Sequence, residues 1–208
     1  MADNAGARVR HFVSHINLIG RFEQQPVMAS RKSTPSWADV KARLTDLDGA
    51  GWLSLLQDLY AASKDNQAFL HARLHLGDNV LEPYKATLDR WLWPDVFKNQ
   101  DTSVAKAKKA IADYKKALGA ADGLAELMVF YCERATGFSC DVGVDDETYL
   151  GALVRMFEQA SKVVNSLPPP PQDPLWARLE VVRDRSRAIG YGVADNIAEL
   201  FIEHRGDD

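Results

Sequence analysis

The 208-residue sequence predicts an all-α protein: a single body of about eight helices packed as consecutive antiparallel hairpins, in a bundle or a short helical-repeat-like array. Three observations predict this class. From Ser36 onward, apolar residues recur at three- and four-residue spacing, as they do along one face of a helix. Glycines and prolines stand between these periodic stretches, where they end helices. No stretch alternates apolar and polar residues as a half-buried strand does.

The first half of the helical region contains four periodic stretches. They cover residues 37–47, 52–60, 68–74 and 81–91. Ser63 is expected to cap the third helix, because its hydroxyl can accept from the free N–H groups at a helix start. Gly77 is expected to end that helix. Pro83 fits the first turn of the fourth helix, and Pro94 is expected to stop it.

The second half contains five further stretches. They cover residues 104–118, 124–135, 149–164, 175–182 and 193–201. The 124–135 stretch is apolar over most of its circumference, which places it in the middle of a bundle, and Gly137 is expected to end it. The four prolines at 168–171 predict a rigid polyproline spacer.

Seven apolar residues from three of these helices are expected to lie buried together. They are Leu127, Met128, Tyr131, Leu153, Phe157, Ile197 and Leu200.

The first 35 residues are expected to form a disordered or loosely ordered leader, since polar, proline-bearing termini are usually loose. A basic arm that contacts a partner is the alternative. Met28 is a second candidate start besides Met1. Residues 36–208 then form the helical domain, with the proline-rich spacer at 168–171.

The amino-acid composition is that of a globular protein without membrane spans. Hydrophobic residues make up 46% of the chain and charged residues 26%, which is ordinary for a globular protein. No apolar run approaches the roughly 20 residues that cross a bilayer, and no secretory signal is evident, so we expect a cytoplasmic protein with no membrane contact. Cys132 and Cys140 are expected to be free thiols there.

Charge is unevenly distributed. The net charge is −4, but residues 1–36 hold five basic and two acidic side chains, so the rest of the chain carries −7. An acidic body argues against a dedicated nucleic-acid binder, whose footprint is normally basic.

Three segments resemble an uncharacterised family of bacterial helical proteins that is known only as a domain of unknown function. The segments are Ala105-Lys-Ala-Lys-Lys-Ala-Ile-Ala-Asp-Tyr-Lys115, Leu124-Ala-Glu-Leu-Met-Val-Phe-Tyr-Cys-Glu133 and the stretch from Gly190 to Leu200. The resemblance spans about residues 37–203. It implies an all-helical fold and a bacterial cytoplasmic protein, and it implies neither an activity nor a site.

The lysine-rich helix is the strongest electrostatic feature. Five lysines and one aspartate give residues 104–116 a charge of +4, while residues 122–158 hold eight acids and two arginines. The lysines could contact phosphates or an acidic partner. We expect instead that they pair with the acids of 122–158.

The C-terminal tail is the second candidate region. Gly190 and Gly192 punctuate a turn before a helix that carries Asp195 and Glu199 one turn apart. These acids are expected to face a basic surface, either the arginines at 183, 185 and 187 or the lysines. An acidic catalytic site is the alternative. The possible binding surface therefore comprises Lys106, Lys109, Lys116, Tyr191, Asp195 and Glu199.

No metal or cofactor is expected. His71 and His75 have a spacing that can place two ligands on one helix face, but no third ligand is evident. The sequence contains no dinucleotide fingerprint. We therefore interpret the chain as a non-enzymatic helical protein-interaction module with an unidentified protein partner. The alternatives are a nucleic-acid-associated accessory protein that uses the lysine-rich helix, and an enzyme with an acidic site near Asp195 and Glu199.

Overall fold

The computed structural model describes residues 34–77 and 79–205, and these residues confirm the all-α prediction. They form nine α-helices and no strand. The helices are α1 (Trp37–Leu44), α2 (Gly49–Ala62), α3 (Lys64–Arg73), α4 (Glu82–Leu92), α5 (Val104–Ala117), α6 (Ala121–Phe138), α7 (Glu147–Asn165), α8 (Gln172–Ser186) and α9 (Val193–Arg205). A 3₁₀ turn at Val96–Lys98 and a π turn at Ser139–Gly143 connect neighbouring helices. Residues 1–33 of the expected leader, including Met28, lie outside the described residues.

The chain divides into two compact units, residues 1–46 and residues 47–208. The described part of the first unit contains α1. Its start is fixed by a capping box, in which the Ser36 hydroxyl accepts from the Asp39 N–H and the Asp39 carboxylate accepts from the Ser36 N–H. The second unit contains α2 to α9.

Polar side chains begin several helices where the sequence indicates a start. Ser63 caps α3 as predicted, with its hydroxyl 3.1 Å from the Asn66 nitrogen. Ser103 caps α5 and Asp146 caps α7 in the same way. Pro83 lies in the first turn of α4, and that helix ends at Leu92, before Pro94.

Two predicted helix ends are wrong. The helix α3 ends at Arg73 and not at Gly77, because His75 takes a left-handed φ of 52° and the Leu76 N–H then bonds back to the His71 carbonyl. The helix α6 continues past Gly137 to Phe138. Gly137 serves close packing, since a Cβ there would lie 2.3 Å from Cζ3 of Trp93.

The four prolines do not form an extended spacer. Residues 169–171 are a turn, and Pro171 occupies the position directly before α8. The connection from α7 to α8 is therefore tight, which lets the two helices pack on each other.

The helix α6 lies at the centre of the second unit, as its apolar circumference predicts. It packs against α4, α5, α7 and α8, and α9 closes the other side of α7. Six of the seven predicted core residues are buried in one cluster, whereas Leu200 is half-buried at its edge. Among the described residues, no helix has both the length and the hydropathy of a membrane span.

Candidate functional site

A cleft of about 270 Å³ opens between α3, α4 and α5, and we call it the α3–α5 cleft. It contains four charged side chains, two aromatic rings and a small apolar floor. Its lining residues are Asp65, Ala68, Pro83, Tyr84, Thr87, Trp91, Lys106, Lys109, Ala110 and Asp113. Two residues of the predicted binding surface, Lys106 and Lys109, therefore lie in one cleft.

Lys109 bridges two acids at one end of this cleft. Its Nζ lies 2.5 Å from an Asp113 carboxylate oxygen and 2.9 Å from an Asp65 oxygen. Hydrogen bonds to Asp113 and then to Asp65 raise the pKa of Lys109, so the amine stays protonated. The expected pairing of this lysine with acids of 122–158 is wrong, because α5 packs its lysine face beside α3.

The acids of 122–158 pair elsewhere. Glu126 and Glu133 both bind Arg178 of α8, at 2.5 Å and 2.7 Å, and Glu126 also binds Lys85 of α4 at 2.6 Å. These half-buried ion pairs tie α4, α6 and α8 together. Sequence reasoning missed them, since the partners lie 41, 45 and 52 residues apart and carry no local signal.

Tyr84 forms the buried side of the cleft. Its side chain is 5% exposed, and its hydroxyl has no hydrogen-bond partner among the described residues. Its ring meets Tyr114 edge-to-face, with centroids 5.4 Å apart. Burial, and then the charge of Asp113, raise the pKa of Tyr84, so the phenol is neutral. No motif in the sequence marks this residue, because its burial depends on how α4 and α5 pack.

Trp91 forms the opposite end of the cleft. The Lys106 ammonium lies 3.7 Å from the centroid of the indole ring, and the Arg90 guanidinium lies 4.3 Å from it. Both distances are within the range of cation–π attraction. Lys106 is thus held against an aromatic surface, and no described carboxylate pairs with it.

The remaining predicted surface residues do not join this cleft. Lys116 is exposed near the end of α5. Tyr191 is exposed in the turn before α9, with a left-handed φ of 59°, and it borders a second cleft against α7. Asp195 and Glu199 are exposed on α9.

The expected pairing of Asp195 and Glu199 with the arginines of α8 is wrong. Arg183 binds Glu180 and Asp184, and Arg185 binds Asp141. These arginines pair with acids of their own helix or of the π turn, and the Arg183 guanidinium also lies 4.3 Å from the centroid of the Phe201 ring of α9. Within the described part of the chain, neither Asp195 nor Glu199 has an ion-pair partner.

The helix α2 has no buried residue, although its sequence is the most apolar of the helices outside the core. Five large apolar side chains are 38–71% exposed: Trp52, Leu53, Leu56, Leu59 and Tyr60. At about 100° per residue they fall within an arc of roughly 120°. We call this surface the α2 face. Asp58 is the single charged residue of the helix.

The helix α2 is held by α3. The Asn66 side chain donates to the Leu59 carbonyl at 2.6 Å, and the Gln67 side chain donates to the Tyr60 carbonyl at 3.1 Å. The Tyr60 hydroxyl lies 3.0 Å from Nε2 of His71. These bonds fix α2 to α3 along the edge of the α2 face that carries Tyr60, and they leave Trp52, Leu53 and Leu56 exposed.

The histidine and cysteine side chains do not form a metal site or a reactive thiol in the described residues. His71 contacts Tyr60, and no group of three His, Cys, Asp or Glu side chains in the described ranges could hold a metal ion. Cys132 is buried and Cys140 is half-buried, and both are free thiols as predicted. Burial raises the pKa of both, which makes them poor nucleophiles.

No family model, curated protein or solved structure matches this chain. The resemblance to a bacterial family of unknown function therefore stays a prediction.

Proposed function

We propose that the protein is a non-enzymatic protein-interaction module and that its α2 face binds an apolar helix of another protein. The observation that carries this proposal is the exposure of Trp52, Leu53, Leu56, Leu59 and Tyr60 on one side of a helix. Contiguous apolar patches of a few hundred Å² on a protein surface commonly mark binding sites.

The size of the face favours one helix as the partner. If a fully exposed large side chain presents on the order of 150–200 Å², five half-exposed ones present roughly 400 Å². Each partner in a stable dimer buries about 800 Å². The α2 face is therefore too small for a lasting dimer and matches a helix that docks by side chains three and four residues apart.

The charge of the face supports the same partner. Asp58 is the one charged residue of α2, so this helix does not attract phosphates or a strongly charged chain. Recognition must then come from apolar shape complementarity. Two free thiols further support the proposal of a cytoplasmic location, where such groups stay reduced.

The two alternative functions have less support. A nucleic-acid surface needs several free cations on one face, but Lys109 is paired with two aspartates, and this leaves Lys106 beside Trp91 and Lys116 outside the cleft. An acidic catalytic site needs carboxylates that converge in a cleft, but Asp195 and Glu199 are exposed on the surface of α9.

The test places a photo-crosslinking amino acid at Leu53 and, as a matched control, at Val181, which is comparably exposed on α8. Crosslinking in the native host should capture a helical segment of another protein from position 53 and not from position 181. The captured segment, made as a peptide, should bind the purified protein. Leu53→Glu should weaken that binding at least about tenfold, since burying a leucine contributes about 1.5–3 kcal/mol. Val181→Glu should not.

Two results would overturn the proposal. One is a peptide that binds Leu53→Glu as well as the unmodified protein. The other is sedimentation showing a dimer that Leu53→Glu dissociates, because the face would then bind a second copy. Unchanged circular dichroism and melting temperature of Leu53→Glu verify that the variant is folded.

A further inference from the structure

The α3–α5 cleft has two ends of opposite charge. Trp91 follows Tyr84 by seven residues on α4, and Asp113 follows Lys106 by seven residues on α5. Seven residues of helix span about 10 Å, so the two ends are separated by about that distance along the helices. Asp65, Asp113 and Lys109 together leave one negative charge at the Tyr84 end. Lys106 supplies one positive charge at the Trp91 end.

Each end has unused capacity to bind a ligand. Asp65 and Asp113 each bond Lys109 through one oxygen, which leaves their other oxygens able to accept from a ligand. The Lys106 ammonium has three donors and contacts an aromatic ring in place of a carboxylate. An anionic group bound near Trp91 would accept hydrogen bonds from the Lys106 ammonium.

The Tyr84 hydroxyl does not take part in ligand binding, because its oxygen is fully buried and has no hydrogen-bond partner among the described residues. A buried hydroxyl without a hydrogen bond is unfavourable, and such groups are uncommon in folded proteins. Thr87 does not satisfy the Tyr84 hydroxyl, because the Thr87 hydroxyl donates to the Pro83 carbonyl.

We propose that the α3–α5 cleft binds a small zwitterion the size of a dipeptide. The ammonium group of the ligand contacts Asp65 and Asp113, and its carboxylate contacts Lys106. The cleft volume of about 270 Å³ is that of about nine water molecules, which suits a molecule of this size. This site is separate from the α2 face.

The experiment uses the dipeptide Ala-Ala as the probe. Its binding to the full chain is measured by calorimetry and by amide chemical shifts in NMR spectra. Acetylation of the amino group removes the positive charge of the probe, and amidation of the carboxyl group removes the negative charge. We expect each change to weaken binding at least about tenfold, because each removes one charge-assisted pair.

Three variants assign the site. Asp113→Asn removes one negative charge at the acidic end of the cleft, and it should weaken Ala-Ala binding about tenfold. Lys106→Gln should weaken binding of Ala-Ala and leave binding of its amide unchanged. Lys116→Gln is the matched control, since Lys116 is exposed on the same helix outside the cleft, and it should bind Ala-Ala normally.

Several outcomes would overturn the inference. Absence of saturable binding at millimolar Ala-Ala would show that the cleft does not bind a zwitterion of this size. Equal binding of the acetylated or amidated probe would exclude a zwitterion as the ligand class. Unchanged affinity in both Asp113→Asn and Lys106→Gln, with melting temperatures showing that the variants are folded, would place the probe elsewhere.

Discussion

The packing of Gly123 against Tyr114 gives a sharp test of the core. Gly123 lies in the first turns of α6, and a Cβ at this position would fall 1.9 Å from the Tyr114 hydroxyl oxygen and 2.6 Å from Cζ. It would also lie 3.2 Å from Cδ2 of Leu81. Optimal contacts between carbon atoms are about 3.5–4.0 Å, so the added methyl group would overlap the ring by more than about 1 Å. We therefore expect Gly123→Ala to destabilise the protein.

The expected magnitude follows from two opposing effects. Alanine in a helix is usually more favourable than glycine by about 0.5–1 kcal/mol. Overpacking a filled core costs about 1–3 kcal/mol, and Tyr114 is buried against Tyr84 and has little space into which to move. We expect Gly123→Ala to lower the free energy of unfolding by about 2 kcal/mol. The melting temperature should fall by roughly 4–8 °C for a chain of this length.

Gly151 provides the matched control. It also lies in a helix, α7, but a Cβ there would approach only the guanidinium end of Arg155, at 3.3 Å. That flexible side chain can move by a few tenths of an ångström. Gly151→Ala should therefore leave the stability unchanged or raise it by up to about 1 kcal/mol.

Urea unfolding, followed by circular dichroism, measures both variants under the same conditions. Adding Tyr114→Phe to Gly123→Ala removes the closest atom and leaves the ring, so it should restore part of the lost stability. The reasoning is refuted if Gly123→Ala is as stable as Gly151→Ala, or if removal of the hydroxyl gives no recovery.

Three further predictions concern charge, packing and thiol accessibility. Burial raises the pKa of Glu126, but hydrogen bonds and ion pairs with Arg178 and Lys85 outweigh burial and hold this pKa below its ordinary value of 4.5. The ionised Glu126 therefore stabilises the folded protein above about pH 4.5, and this stabilisation is lost as the pH falls through the folded-state pKa. Unfolding in urea at a series of pH values should show a smaller loss on acidification for Glu126→Gln, and an identical pH profile would contradict this. Leu153→Ala should cost about 2–5 kcal/mol of unfolding free energy and Leu200→Ala clearly less, since Leu153 is fully buried and Leu200 is not; equal losses would show that the core is misplaced. A thiol reagent should modify Cys132 only after unfolding, because the side chain is buried, and rapid labelling of the native protein would refute this.

Local patterns in the sequence are sufficient for the fold class and much of the core. Helical periodicity, a serine at position 63 and a proline at position 83 predict helix identity and starts, because these features act within one or two turns. The apolar circumference of residues 124–135 places α6 at the centre for the same reason, since a helix that is apolar on all sides needs neighbours on all sides.

The candidate sites depend on contacts that no local pattern contains. Periodicity shows that one side of α2 is apolar, but only the packing of α2 on α3 shows that this side remains exposed. Asp65 of α3, which pairs with Lys109, lies 44 residues away in the sequence. The charges of neighbouring segments therefore predicted the wrong acids as partners of this lysine.

By itself, the sequence determined an all-helical body with α6 at its centre, because hydrogen bonding and apolar spacing within a helix are local properties. Tertiary structure alone decided that Gly137 accommodates Trp93, that the Tyr84 hydroxyl is buried without a partner, and that Lys106 and Lys109 share one cleft. These features arise where helices distant in sequence approach each other. Their geometry depends on the fit of side chains across the interface, which one-dimensional spacing does not specify.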